Sequence, residues 1–199
     1  MTLDLLNARL NQIEARITSP SFLKAQGLGN EVPFHIFDYP AEHELAVRDY
    51  VQVLLKALHQ HHAHLRVAEA NLFQVIVDLL KQRGLYDRVV ESQKTKGDEA
   101  TLRNLRGVLD EGKIAKALSE LVRPDQHQLV LIHGIGTAWP LIRAHQLIKS
   151  LEPMTCGTPF VFFYPGTYSG LNLRLFDRLD SKDHYRAFRL ISGSSHEFC

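Results

Sequence analysis

Apolar residues recur along the chain in two rhythms, and the rhythm changes at prolines and glycines. Residues 2–17 place Leu3, Leu6, Leu10, Ile13 and Ile17 at alternating spacings of three and four. That is the a/d-like stripe of an N-terminal amphipathic helix, spanning residues 1–20 with the Thr18-Ser19-Pro20 stop. Two heptads do not sustain a free coiled coil, so the stripe either packs on its own domain or serves as a partner helix. Val32–Phe37 predicts a first strand, closed by Asp38-Tyr39-Pro40, and the helix after it turns Val47, Val51, Leu54, Leu55 and Leu58 to the interior. His64–Glu69 predicts a second, shorter strand. Asn71 is placed to cap a helix over Leu72–Arg83 that is apolar around much of its circumference, and Gly84 ends it.

The polar run Ser92–Asp98 predicts an exposed connection, and helical patterns follow over 98–110 and 112–122. Gln128–His133 is an apolar run of strand length that breaks at Gly134-Ile135-Gly136. A helix to Leu151 is expected next, with Thr137 as its cap and Pro140 in its first turn. Pro159–Tyr164 is almost wholly apolar, as in a strand covered on both faces, and Tyr185–Ile191 predicts a last strand. Strands alternating with helices predict a single α/β domain over residues 1–199. Its sheet is open and largely parallel, flanked by helices, Rossmann-like or degenerate P-loop-like. Ligands of such sheets sit outside the carboxyl ends of the strands. That rule gathers Asp38, Glu69, Asn71, His133, Gly134, Gly136, Thr137, Tyr164, Gly166 and Tyr168 as a candidate ligand or partner edge.

Composition narrows the classes. Of 199 residues, 45% are hydrophobic and 23% charged, ordinary values for a globular protein, and a net charge of +1 provides no general nucleic-acid footprint. Arg174, Arg178, Arg186 and Arg189 form a local basic surface, interleaved with Asp177, Asp180 and Asp183. No apolar run reaches membrane-spanning length, the N-terminus does not read as a signal peptide, and Cys156 and Cys199 are too few for a disulfide framework. A cytoplasmic protein without a membrane anchor is expected.

Each catalytic motif lacks a part. Gly107–Lys113 matches G-x-x-x-x-G-K, but Ile114 stands where a hydroxyl must bind magnesium, and a helical stretch precedes it instead of a strand. The Gly134–Thr137 turn has strand and helix but no lysine, and His133 replaces the carboxylate of a Walker-B-like strand. Trp139 occupies the third glycine position of a dinucleotide fingerprint, and no G-x-S-x-G accompanies the His133-Gly134 pair. His59, His61, His62 and His64 cluster at a helix end without supporting ligands, so they read as dipole partners and no metal site is assigned. No catalytic residue and no cofactor follow from the motifs.

Several separated blocks together resemble one family. They are Ser19-Pro20-Ser21-Phe22-Leu23, Gly27-Leu28-Gly29-Asn30-Glu31-Val32-Pro33 and Phe34–Tyr39; Gly134-Ile135-Gly136-Thr137 with Arg143 and His145; Phe163–Tyr168; and Tyr185–Leu190. In this order they are similar to the BrxB family of bacteriophage exclusion (BREX) defence systems, over nearly the whole chain; residues 85–122 add little. The resemblance implies a cytoplasmic, non-catalytic role in phage defence, with a PglZ-type protein of the alkaline-phosphatase superfamily as expected partner and other BREX components beside it. It supplies no catalytic residues. Two functions stay open: an adaptor in complex assembly, and a nucleotide- or phosphate-ligand sensor using the Gly134–Thr137 turn without hydrolysis. Direct contact with DNA is left open as well.

Overall fold

The computed structural model describes residues 1–24, 33–180 and 187–192. Five strands form a parallel sheet in the order β2-β3-β4-β1-β7: β1 Phe34–Tyr39, β2 Val67–Asn71, β3 Leu129–His133, β4 Phe160–Tyr168 and β7 Phe188–Arg189. The end of β4 turns antiparallel onto a small hairpin, β5 Leu173–Leu175 and β6 Leu179–Asp180. The α/β class read from the sequence is therefore the observed one.

Helix α4 (Glu44–His61) carries the chain from β1 to the far edge, where β2 forms, and β3 and β4 then step back toward β1. Alternate residues of each strand face opposite sides, so one sheet builds two cores. Val130 and Ile132 with Phe160 and Phe162 face helices α5 (Leu72–Gln82), α7 (Glu111–Val122) and α9 (Ala144–Leu151). Leu129 and Leu131 with Val161 and Phe163 face α4 and the N-terminal helices α1 (Leu3–Leu10) and α2 (Ile13–Ile17). Edge-on aromatic pairs such as Phe34–Phe162, at 5.5 Å, fill the space between neighbouring strands.

The N-terminal stripe belongs to this second core. Leu6, Leu10, Ile13 and Ile17 are buried against Phe37, Val47 and Val51, so these four are not a free partner helix, and only Leu3 of the five stays exposed. The helix is interrupted at Asn11-Gln12, yet the stripe continues on the same core side from α1 into α2. Beyond it, Pro20–Leu23 forms the one-turn α3.

Three local expectations are corrected. The connection expected over Ser92–Asp98 is mostly exposed but narrower than that: the helical run α6 (Tyr86–Leu105) is interrupted only at Gly97, where φ 78° and ψ 175° separate two helical halves. The helix expected from Thr137 to Leu151 is split. A single turn, α8 (Ile135–Ala138), begins behind left-handed Gly134, so Thr137 sits inside the turn and does not cap it. Pro140 follows a cis Trp139–Pro140 bond outside α8, and α9 opens later at Ala144. The β5–β6 hairpin was not anticipated. Of the last strand expected, residues 187–191 are described and hold the two-residue β7, while 185–186 lie outside the described residues.

Candidate functional site

The carboxyl ends of β1, β2, β3 and β4 do share one edge: Asn71 sits opposite His133, and Asp38 opposite Tyr164. What occupies that edge is mostly the protein's own side chains. Asp38 is buried, and its Oδ1 accepts a 2.7 Å hydrogen bond from the Arg9 guanidinium, which also donates at 2.7 Å to the Asp38 carbonyl. Its Oδ2 accepts from the Tyr168 backbone N–H at 3.1 Å, with the Arg189 guanidinium 3.8 Å away. Arg9 also lies over the Phe37 ring, 4.8 Å from its centroid. One carboxylate thus ties α1, β1, β4 and β7 together.

Tyr168 is buried too. Its hydroxyl lies within hydrogen-bond reach of the carbonyls of Gly170 and Ala187 and shares its one proton between them, and burial raises its pKa above the ordinary phenol value. Tyr164 lies buried in the first core. At the other end of the edge, the His133 Nε2 pairs with the Glu69 carboxylate. The Asn71 Oδ1 accepts from the Gln74 N–H at 3.2 Å and so caps α5 as the sequence predicts.

The glycines show what the turn after β3 is for. Gly134 has φ 72°, and a Cβ there would meet the Asn71 Oδ1 at 2.4 Å. A Cβ on Gly136 would meet the Pro165 ring at 2.9 Å and the Phe176 ring at 3.1 Å. At Gly166 the Arg174 carbonyl oxygen lies 2.1 Å from the corresponding point. Each glycine admits a neighbouring protein group to close approach, where a phosphate cradle would leave that space open.

Gly136 lets Phe176 pack down on α8, and Phe176 in turn supports Trp139 edge-on, with ring centroids 5.9 Å apart. Trp139 itself is 44% exposed. Phe176 and Asp177 form the β5–β6 turn with φ 55° and 56°, the left-handed pair of a type I′ hairpin turn. The Thr167 hydroxyl holds the Asp177 carboxylate, and the Phe176 N–H donates to the Pro165 carbonyl at 2.9 Å. Arg174 and Arg178 are exposed on this hairpin, Arg189 lies beside Asp38, and Arg186 is outside the described residues.

The other motifs resolve into local structure. The Lys113 ammonium reaches the Asp110 carboxylate at 2.5 Å and the Gly107 carbonyl at 3.1 Å, within a helix–helix turn. Asp110 caps α7, and these bonds from Lys113 hold its carboxyl below the usual range. His61 and His62 lie 3.4 Å and 3.3 Å from the Glu14 carboxylate, joining the end of α4 to α2. Among the described residues no group of three or more His, Cys, Asp or Glu is placed to hold a metal ion, and no helix is long and apolar enough to cross a membrane. Sequence reasoning missed Arg9, Phe176 and the outward role of Trp139. The signal for Trp139 was available, since it is the single tryptophan of the chain and stands at a strand-to-helix turn.

The family model described as BREX protein BrxB matches residues 68–190. A BREX protein BrxB of Escherichia coli O9:H4 (strain HS) is 43% identical over 186 residues, covering 94% of this chain and 92% of the relative. One from Bacillus cereus (strain H3081.97) is 33% identical over 190 residues, covering 94% of this chain and 97% of the relative. No solved structure matches significantly. With a family model over more than half the chain and relatives aligned over nearly all of it, the chain belongs to the BREX protein BrxB family.

Proposed function

We propose that the protein, as a BREX component, is a non-catalytic cytoplasmic adaptor of anti-phage defence that assembles with a PglZ-type protein. The observation that carries this reading is the filled carboxyl edge. Asp38 is committed to Arg9 and Tyr168, Glu69 to His133, and Asn71 to the cap of α5, while the glycine turn is packed by Asn71, Pro165 and Phe176. Groups so engaged have little left to offer a reacting ligand, whereas the exposed Trp139 and the hairpin arginines are the residue types that anchor protein interfaces. The sensor alternative gains no support from the glycines, because at Gly134 and Gly136 the missing side chain makes room for Asn71, Pro165 and Phe176.

Affinity purification from cells carrying the complete operon, followed by mass spectrometry, tests the adaptor. The PglZ-type protein should co-purify at stable stoichiometry; its absence from repeated purifications would remove the assignment. Melting temperatures should stay flat with ATP, GTP, cyclic nucleotides and Mg²⁺, since any ligand selective for the folded state raises them.

A further inference from the structure

The two halves of α6 do not continue as one rod. Gly97 turns the chain at φ 78° and ψ 175°, so that the Thr101 hydroxyl comes within 3.1 Å of the Ser92 Oγ and the Gln93 amide donates to the Asp98 Oδ1 at 3.0 Å. Both halves then turn a stripe at i, i+3, i+4 and i+7, from residues 86–93 and 98–105, to the same space as Phe73, Ile76, Val77 and Leu80 of α5. Stripes of that spacing ordinarily interdigitate. Here they bound a cavity of about 430 Å³, a volume within the range of small-molecule sites. Ile76 and Leu105 are buried in the core whereas Val77 and Leu102 are half-buried, so the cavity runs from the core to the solvent.

We infer that this cavity is a binding site for a compact, uncharged, mostly apolar molecule with one N–H or O–H directed at the Asp98 carboxylate. The lining selects that class. Among the described residues that line it, Asp98 alone is charged, and the polar side chains Gln93, Asp98 and Thr101 gather beside Gly97. Asp98 accepts from the Gln93 amide through Oδ1 and keeps Oδ2 as an acceptor for a ligand. Elsewhere the walls offer water no hydrogen bonds, and apolar cavities stay poorly hydrated and take up small apolar molecules instead. A phosphate or carboxylate would face the like charge of Asp98 with no lysine or arginine in the lining to offset it. The ligand class is therefore the opposite of the one weighed at the Gly134–Thr137 turn, and the site stands independently of the adaptor assignment.

A pair of dyes that differ by one charged group tests this on the full chain. N-Phenylnaphthylamine is uncharged and apolar with a single N–H, and anilinonaphthalene sulfonate adds an anion to the same skeleton. The uncharged dye should fluoresce on wild-type protein with saturation at one site and should raise the melting temperature. The sulfonate should bind at least about tenfold more weakly, because it brings a charge into an apolar space beside a carboxylate. Val77→Trp and Leu102→Trp each place an indole in the cavity from its half-buried wall, so both should melt close to wild type and lose the site. Leu45→Ala removes an exposed apolar side chain on α4 and should leave binding unchanged. Binding without saturation, equal affinity for the two dyes, or binding retained by either folded tryptophan variant overturns the site. The dye ratio on wild-type protein decides the matter even where a tryptophan variant fails to fold. A wild-type protein that binds no dye, together with loss of a co-purified BREX component in the folded tryptophan variants, would reassign the cavity to a partner's side chains.

Discussion

Asp38 shows how a residue that reads as a ligand group becomes a structural one. Its carboxylate is almost fully buried and meets the Arg9 guanidinium at 2.7 Å, so each charge compensates the other in a place that water does not reach. Removing one partner strands the other. Asp38→Asn keeps the shape and an acceptor for the Tyr168 N–H, yet leaves the Arg9 charge buried, and should cost about 3–5 kcal/mol in urea unfolding. The double variant Arg9→Met/Asp38→Asn should recover part of that loss. A double variant no better than the sum of the singles would show that the pair is not coupled. Gly134 makes a second case. An alanine there must take φ 72° and displace the Asn71 side chain that caps α5. Gly134→Ala should therefore lose about 2–3 kcal/mol, from the left-handed backbone and the weakened cap together. A loss below about 0.5 kcal/mol, typical of a surface change, would mean that the turn has room to spare.

Elements with a buried face were legible in the sequence, and those without one were not. Strands β1, β3 and β4 stand out because they are apolar on both faces, and α5 because Asn71 and Gly84 mark its ends. The exposed connection read over residues 92–98 was drawn too long, because an exposed helix has the same polar composition as a connection, and only Gly97 leaves the helical conformation. The β5–β6 hairpin was missed because Phe176-Asp177 adopts a turn that ordinarily advertises itself through Asn-Gly or Asp-Gly. At the edge itself, the strand-end rule placed Asp38, Asn71 and His133 correctly. Nothing in the local pattern could announce that Arg9, 29 residues away, reaches Asp38. The N-terminal stripe gave its periodicity but not its target. Since α1 packs into the core, Leu6→Ala should destabilise by about 2–5 kcal/mol, a core-cavity value, whereas Leu3→Ala, at a position 49% exposed, should stay within about 0.5 kcal/mol. Equal effects at the two positions, read from urea midpoints, would place α1 off the domain.

At the scale of the whole molecule, one parallel sheet carries a core on each face, and acid should act first at its β7 edge, where His35 lies between α3 and β7. His35, on β1, is buried with its ring 4.4 Å from Phe22 of α3 and 5.7 Å from Phe188 of β7, and its Nδ1 has no hydrogen-bond partner. Burial, and then the positive charge of Arg16, lower its pKa from 6.5 to about 4, so the folded protein holds it neutral at physiological pH. Between those values the unfolded chain binds a proton that the folded protein refuses. The contribution is therefore fully present above pH 6.5 and is lost as the pH falls toward about 4. Two and a half units correspond to about 3 kcal/mol. Chemical denaturation of wild-type protein and of His35→Leu, followed from neutral pH down to 4, should show the wild-type stability falling relative to the variant's by roughly that amount, because the leucine variant has no proton to take up there. A relative loss centred in that window would identify the cover formed by α3 and β7 as the acid-sensitive seam of the fold. Curves that stay parallel would mean that His35 takes up its proton without being expelled from between the two rings.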